Sequence, residues 1–128
     1  MKRSVLIVDD EPNILLSLEF LMRKAGYAVR VAHDGDEALR LIEENAPDLV
    51  LLGVGLPKRN GYDVCQTLRA DPRRKGIRIV MVTARARDVE RDKGFAMGAD
   101  DYIIKPFSTR MLTERVARLM DMGGPEHG

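Results

Sequence analysis

Tryptophan is absent from this chain of 128 residues, which has only three phenylalanines, three tyrosines and one cysteine. Too few aromatics interleave with its basic residues to form a base-stacking platform, and the lone Cys65 excludes an intramolecular disulfide. No apolar run approaches the roughly 18 residues of a membrane span, and there is no internal repeat or low-complexity tract. Neither sign of charge is in excess, since 21 lysines and arginines face 20 aspartates and glutamates. That balance argues against nucleic acid or a membrane surface as a default partner. The start, Met-Lys-Arg-Ser-Val, lacks the apolar core of a signal peptide. A soluble single domain in a reducing, cytoplasmic setting is the expectation.

What is present is an alternation of two periods. Short apolar runs at Ser4 to Val8, Ala28 to Ala32, Leu49 to Leu52, Ile77 to Val82 and Tyr102 to Ile104 read as strands, the run at Leu49 to Leu52 as one buried on both faces. Amphipathic stretches lie between them. Ile14, Leu18, Leu21 and Ala25 fall at helical spacing, with Gly26 placed to cap the end. Further helices are expected from about Asp36 to Glu44, Tyr62 to Ala70 and Asp88 to Met97, the last closed by Gly98. The fifth begins after Ser108, a candidate N-cap, with Leu112, Val116, Leu119 and Met120 on one face. Strict strand–helix alternation implies right-handed crossovers, hence an α/β fold with a doubly wound, five-stranded parallel sheet. Residues 123–128, Gly-Gly-Pro-Glu-His-Gly, cannot continue a helix and read as a flexible tail or the start of a linker, leaving 1–122 as the domain.

Doubly wound sheets bind ligands beyond the carboxyl ends of their strands. Strand one delivers Asp9, Asp10 and Glu11, strand three Gly53, strand four Thr83 and Ala84, and strand five Lys105-Pro106. Adjacent carboxylates repel, so a pair kept at one strand end suggests a hard cation such as Mg²⁺. Thr83 and Lys105 are suited to hold an anionic oxygen beside it, and together these groups suit a bound phosphoryl group. Taken singly each has an ordinary reading: acids at a helix start, a β-branched strand residue, a surface lysine.

The strings "VLIVDDEP", "PDLVLLGVGLP", "NGYDV", "VTA" and "GADDYIIKPF" follow one another in the order found in bacterial response-regulator receiver domains, which the chain resembles over nearly its whole length. The resemblance implies a flavodoxin-like sheet of order 2-1-3-4-5 and a role in two-component phosphorelay signalling. It implies Asp9, Asp10 and the backbone carbonyl of Gly55 at the Mg²⁺ site, Thr83, Ala84 and Lys105 at the phosphate, Thr83 and Tyr102 as switch residues, and a cis peptide between Lys105 and Pro106. The implied partners are a sensor histidine kinase or phosphotransfer protein, and an output domain or partner protein. The output partner, or a second copy of the chain in a homodimer, would use the face made by the fourth helix, fifth strand and fifth helix.

One position departs from the family's pattern. In Leu-Leu-Gly-Val-Gly-Leu-Pro, Gly53 stands where the resemblance places the phosphoacceptor aspartate. Glycine offers neither a nucleophile nor a side-chain oxygen for a metal, so the resemblance implies a pseudo-receiver with no catalytic acceptor, weakened Mg²⁺ binding and no aspartyl phosphorylation of its own. The glycine is either the natural residue of a degenerate receiver or a substitution in an intact one. The rival from another class is a small phosphatase-like enzyme working through Asp9, Asp10 and Lys105, though no cap domain or substrate pocket accompanies them. Cys65, His33 and His127 carry no partner spacing, and the basic run Arg73-Arg74-Lys75 reads as a solvated loop.

Overall fold

Strands form where every side chain in a short apolar run finds cover. Val5, Leu6, Ile7 and Val8 are all buried, as are all residues from Leu49 to Gly53, because helices lie on both sides of the sheet. The computed structural model describes residues 2–84, 92–93 and 95–122. Its five parallel strands are β1 (Ser4–Val8), β2 (Ala28–Ala32), β3 (Leu49–Gly53), β4 (Arg78–Thr83) and β5 (Asp101–Ile104), in the order β2-β1-β3-β4-β5. This is the doubly wound, flavodoxin-like sheet expected from the sequence.

Strand residues alternate between two cores. Leu6, Val8, Val50 and Leu52 face helices α2 (Gly35–Glu44) and α3 (Gly61–Ala70). Val5, Ile7, Leu49 and Leu51 face α1 (Pro12–Lys24) and the C-terminal helix Thr109–Met122. Each fully buried aliphatic side chain stabilises the fold by about 1.5–3 kcal/mol, which makes the sheet the rigid part from which the loops at its carboxyl edge project.

Local chemistry explains the element boundaries. Asp34 caps α2 by accepting from Glu37 N, and Asn60 caps α3 by accepting from Asp63 N. Ser108 Oγ accepts from Met111 N at the start of the C-terminal helix. Gly26 adopts φ +97°, and the Tyr27 and Gly26 amides close back on Met22 and Arg23.

Several sequence expectations shift, among them the end of β4, which reaches Thr83, and the start of β5, which lies at Asp101. Strand β3 runs one residue further, to Gly53, which pairs in register with Val82. Strand β4 starts at Arg78 rather than Ile77, because the Ile77 amide donates to Arg74 O and closes the turn that follows the 3-10 segment Pro72–Arg74. The buried stripe of α1 is Leu15, Leu18 and Met22, while Ala25, expected on that face, is the exposed C-cap residue. Helical backbone at 92–93 and 95–96 coincides with the end of the fourth expected helix, whose first residues, 88–91, lie outside the described residues, as does the tail at 123–128.

Gly61 opens α3 against the last residue of β3. A Cβ built on it would lie 2.1 Å from the Gly53 carbonyl oxygen, and its amide already donates to Val54 O at 2.7 Å. Gly55, in the same connection, has nothing within 4 Å of a built Cβ. Gly61→Ala is therefore expected to cost about 1–3 kcal/mol in chemical denaturation through overpacking, whereas Gly55→Ala should stay within about 0.5 kcal/mol of the parent.

Candidate functional site

Four strand ends converge on one cleft of about 180 Å³, lined by Asp9, Asp10 and Glu11 after β1, Gly53 and Gly55 after β3, Thr83 and Ala84 after β4, and Lys105 after β5. The parallel register brings them together. Val8 lies beside Leu52, Gly53 beside Val82, and Thr83 beside Ile104, so each strand ends on nearly the same level. All the residues that sequence analysis placed around a phosphoryl group share this cleft.

Asp9 is the buried charge of the site, at 2% exposure, and a buried carboxylate needs partners. Its Oδ1 accepts from the Glu11 amide at 2.9 Å, and its Oδ2 lies 3.2 Å from Lys105 Nζ. Lys105 Nζ also donates to Glu11 Oε1 at 3.0 Å. Burial alone would push the Lys105 ammonium down. The hydrogen bond to Glu11, with the charge and hydrogen bond of Asp9, outweighs it and leaves the pKa above the usual lysine value. The backbone of Lys105 is anchored too, its amide donating to Thr83 O at 2.7 Å, and the Lys105–Pro106 peptide is cis.

Asp10 is exposed at the mouth, while Thr83 is buried. Tyr102 is buried as well, packed in the core cluster on the α2 and α3 side of the sheet. Glu11, noted in the sequence only as one of the acids after β1, proves to be a principal partner of Lys105. The clue was its position two residues beyond Asp9, where an aspartate side chain commonly accepts the i+2 amide and folds the turn back on itself.

Gly53 forms one side of the cleft. Its φ lies outside the left-handed region, so the backbone there accepts any residue and does not itself demand glycine. A built Cβ would lie 3.2 Å from Asp9 Oδ2, 3.2 Å from Val8 O and 3.4 Å from Leu56 Cδ2. A side chain at this position would therefore enter the cleft against the Asp9 carboxylate.

A divalent cation finds a thin donor set. Both Asp9 oxygens are engaged, and among the described residues no three histidine, cysteine, aspartate or glutamate side chains are grouped so as to hold a metal ion. As arranged, the residues do not fit a tightly held Mg²⁺. Elsewhere, Cys65 is buried, donates to Met97 O, and has its pKa pushed up to about 11 mainly by burial, which leaves it inert as a nucleophile. Among the described residues no helix is long and apolar enough to cross a membrane.

Comparison with known proteins identifies the family and the fold. A family described as the response regulator receiver domain matches residues 5–117. A response regulator from Chloroflexus aurantiacus is 39% identical, with 94% of this chain and 99% of that one aligned at a TM-score of 0.91. A CheY-like receiver domain protein from Methanospirillum hungatei is 30% identical over the whole of both chains, also at 0.91. The receiver domain of a histidine kinase from Syntrophus aciditrophicus is 28% identical over 96% of this chain and 93% of that one, at 0.89.

Removing the ammonium strands Asp9. Lys105→Met is expected to lose about 1–3 kcal/mol of stability in urea titrations near neutral pH, the cost of leaving a buried carboxylate short of a partner. Because the folded-state pKa of Lys105 is raised, its contribution is complete below the unfolded lysine value and disappears as pH climbs through the higher folded value. The gap between parent and variant should therefore be constant from neutral pH to about 10 and close above it; a gap that closes near neutrality would contradict the pairing.

Proposed function

The chain belongs to the response regulator receiver domain family, and on that premise we propose that it is a binding and switching module held in one state, without aspartyl phosphorylation of its own. Members of the family are signalling modules that typically bind Mg²⁺ in an acidic pocket and work with histidine kinases or phosphotransfer partners. The observation that carries our reading is Gly53: a side chain there would enter the cleft beside Asp9, and the glycine offers no carboxylate.

In this reading Asp9, Asp10 and the Gly55 carbonyl are the remaining metal donors, and Mg²⁺ is held more weakly than in a Gly53→Asp variant. Thr83, Ala84 and Lys105 are the phosphate-binding groups, and Thr83 and Tyr102 are the switch pair left without a trigger. Receivers respond because two conformations lie within a few kcal/mol and the phosphoryl group favours one. Without it, packing alone sets the population.

The output surface we favour is the face around β5 and the C-terminal helix. A depression of about 310 Å³ there is lined by Phe95, Tyr102, Ile104 and Met111, with Asp101 and Arg115 at its edge. Phe95 is 44% exposed, a large apolar side chain in reach of a partner protein or output domain. A homodimer through this face is the lesser alternative, because Arg115 already pairs with Asp101 at 3.2 Å within the chain. Arg85, Arg87 and Arg91, which stand near the fourth helix in the sequence, lie outside the described residues. We assign the module to the cytoplasm, with no direct contact to nucleic acid or membrane.

Two measurements test the reading. Intact-mass spectrometry after incubation with acetyl phosphate and Mg²⁺ should show one added phosphoryl group on Gly53→Asp and none on the parent; addition to the parent would place the acceptor elsewhere and refute the proposal. In metal-free buffer, Gly53→Asp should melt below the parent by several degrees. A second carboxylate beside Asp9 costs about 1–4 kcal/mol, and each kcal/mol corresponds to roughly 3–5 °C in a domain of this size. An equal or higher melting temperature would count against the cleft geometry.

A further inference from the structure

Lys105 has two acids to itself. Its ammonium reaches Asp9 Oδ2 at 3.2 Å and Glu11 Oε1 at 3.0 Å, while the remaining Asp9 oxygen takes the Glu11 amide at 2.9 Å. The pair is sheltered, with the Lys105 side chain 15% and the Asp9 side chain 4% exposed, so solvent and salt screen it little. Glu11 is 62% exposed and nevertheless turns back onto the ammonium rather than out into water. No carboxylate at position 53 competes for the lysine.

We infer that the Lys105 ammonium is the resident cation of this cleft, seated on Asp9 and Glu11 where a divalent ion would otherwise neutralise them, so that the site closes on itself without metal. The inference rests on reading the cleft as a receiver's acidic pocket, and it concerns what the chain does with that pocket once the third carboxylate is missing. A divalent ion approaching Asp9 Oδ2 meets an ammonium 3.2 Å from the same oxygen. Like charges of that proximity exclude one another, and the tethered cation, already part of the fold, has no translational freedom to lose. The remaining donors, the exposed Asp10 side chain and backbone carbonyls, make a poor cage alone. The device also joins the β1–α1 connection to the end of β5, so the loop carrying the acids is held by the chain itself rather than by a dissociable ion.

The test is isothermal titration of MgCl₂ into four folded proteins: parent, Lys105→Met, Lys105→Arg and Gly53→Asp. Lys105→Met should bind Mg²⁺ at least about tenfold more tightly than the parent, and Lys105→Arg, which keeps a cation on the same tether, should bind as weakly as the parent. A Lys105→Met protein that binds no better than the parent overturns the inference. If circular dichroism shows that Lys105→Met does not fold, the parent decides: the ¹⁵Nζ resonance of Lys105 should be unmoved by millimolar MgCl₂, and a saturable shift overturns the inference. Gly53→Asp separates this result from the wider reading. Its failure to accept a phosphoryl group would defeat the proposed function while leaving a Lys105→Met gain in metal affinity intact.

Discussion

The ion pair between Lys105 and Asp9 is the interaction on which the cleft depends. Asp9 is held nearly out of water at the end of β1, and a carboxylate in that position must be neutralised or protonated. The sheet supplies the neutralising group from β5, two strands beyond β3, across the gap left by Gly53. Burial opposes the lysine's charge, but its two acids more than restore it, so the ammonium keeps its proton. Position, rather than any single strong contact, makes this work. Four strand ends on one level bring together groups that are far apart in sequence.

That level is set by packing on both sides of the sheet. The residues alternating along β1 and β3 divide between two cores, so a one-residue slip of either strand would reverse every side chain and withdraw Asp9 or Gly53 from the cleft. The connection after β3 is fixed just as closely. Gly61 rests against the Gly53 carbonyl, and Arg59 pairs with Asp36 at 3.0 Å at the start of α2. Gly61 thus packs directly on the wall that Gly53 belongs to, and the glycine at 53 leaves a gap in the cleft's donor set.

Most of this architecture was legible in the sequence, for identifiable reasons. The central strands β1 and β3 were runs of buried aliphatics, and the helices carried either clear stripes, as at Leu112, Val116, Leu119 and Met120, or clear caps, as at Ser108. The misreadings were local. Ile77 is as apolar as its neighbours, but the turn at Pro72–Arg74 claimed its amide. Ala25 fitted the helical period, but the helix ended before it. In the site, periodicity revealed which residues stood at strand ends and not how they paired. The hold of Glu11 on Lys105 depends on a side chain reaching back across the cleft mouth, a contact between residues 94 apart that no local pattern encodes.

On the proposed reading the cleft is self-sufficient, its acids neutralised from within by Lys105, so that it no longer responds to a metal ion or a phosphoryl donor. The most direct measurement is the amide ¹H–¹⁵N spectrum of the protein as it stands, recorded with and without millimolar MgCl₂ and acetyl phosphate together. Asp9, Asp10, Thr83, Ala84, Tyr102 and Lys105 are expected to keep their positions. Saturable shifts at Thr83, Ala84 and Tyr102 would mean that the cleft still receives the signal and that Gly53 has not fixed its state.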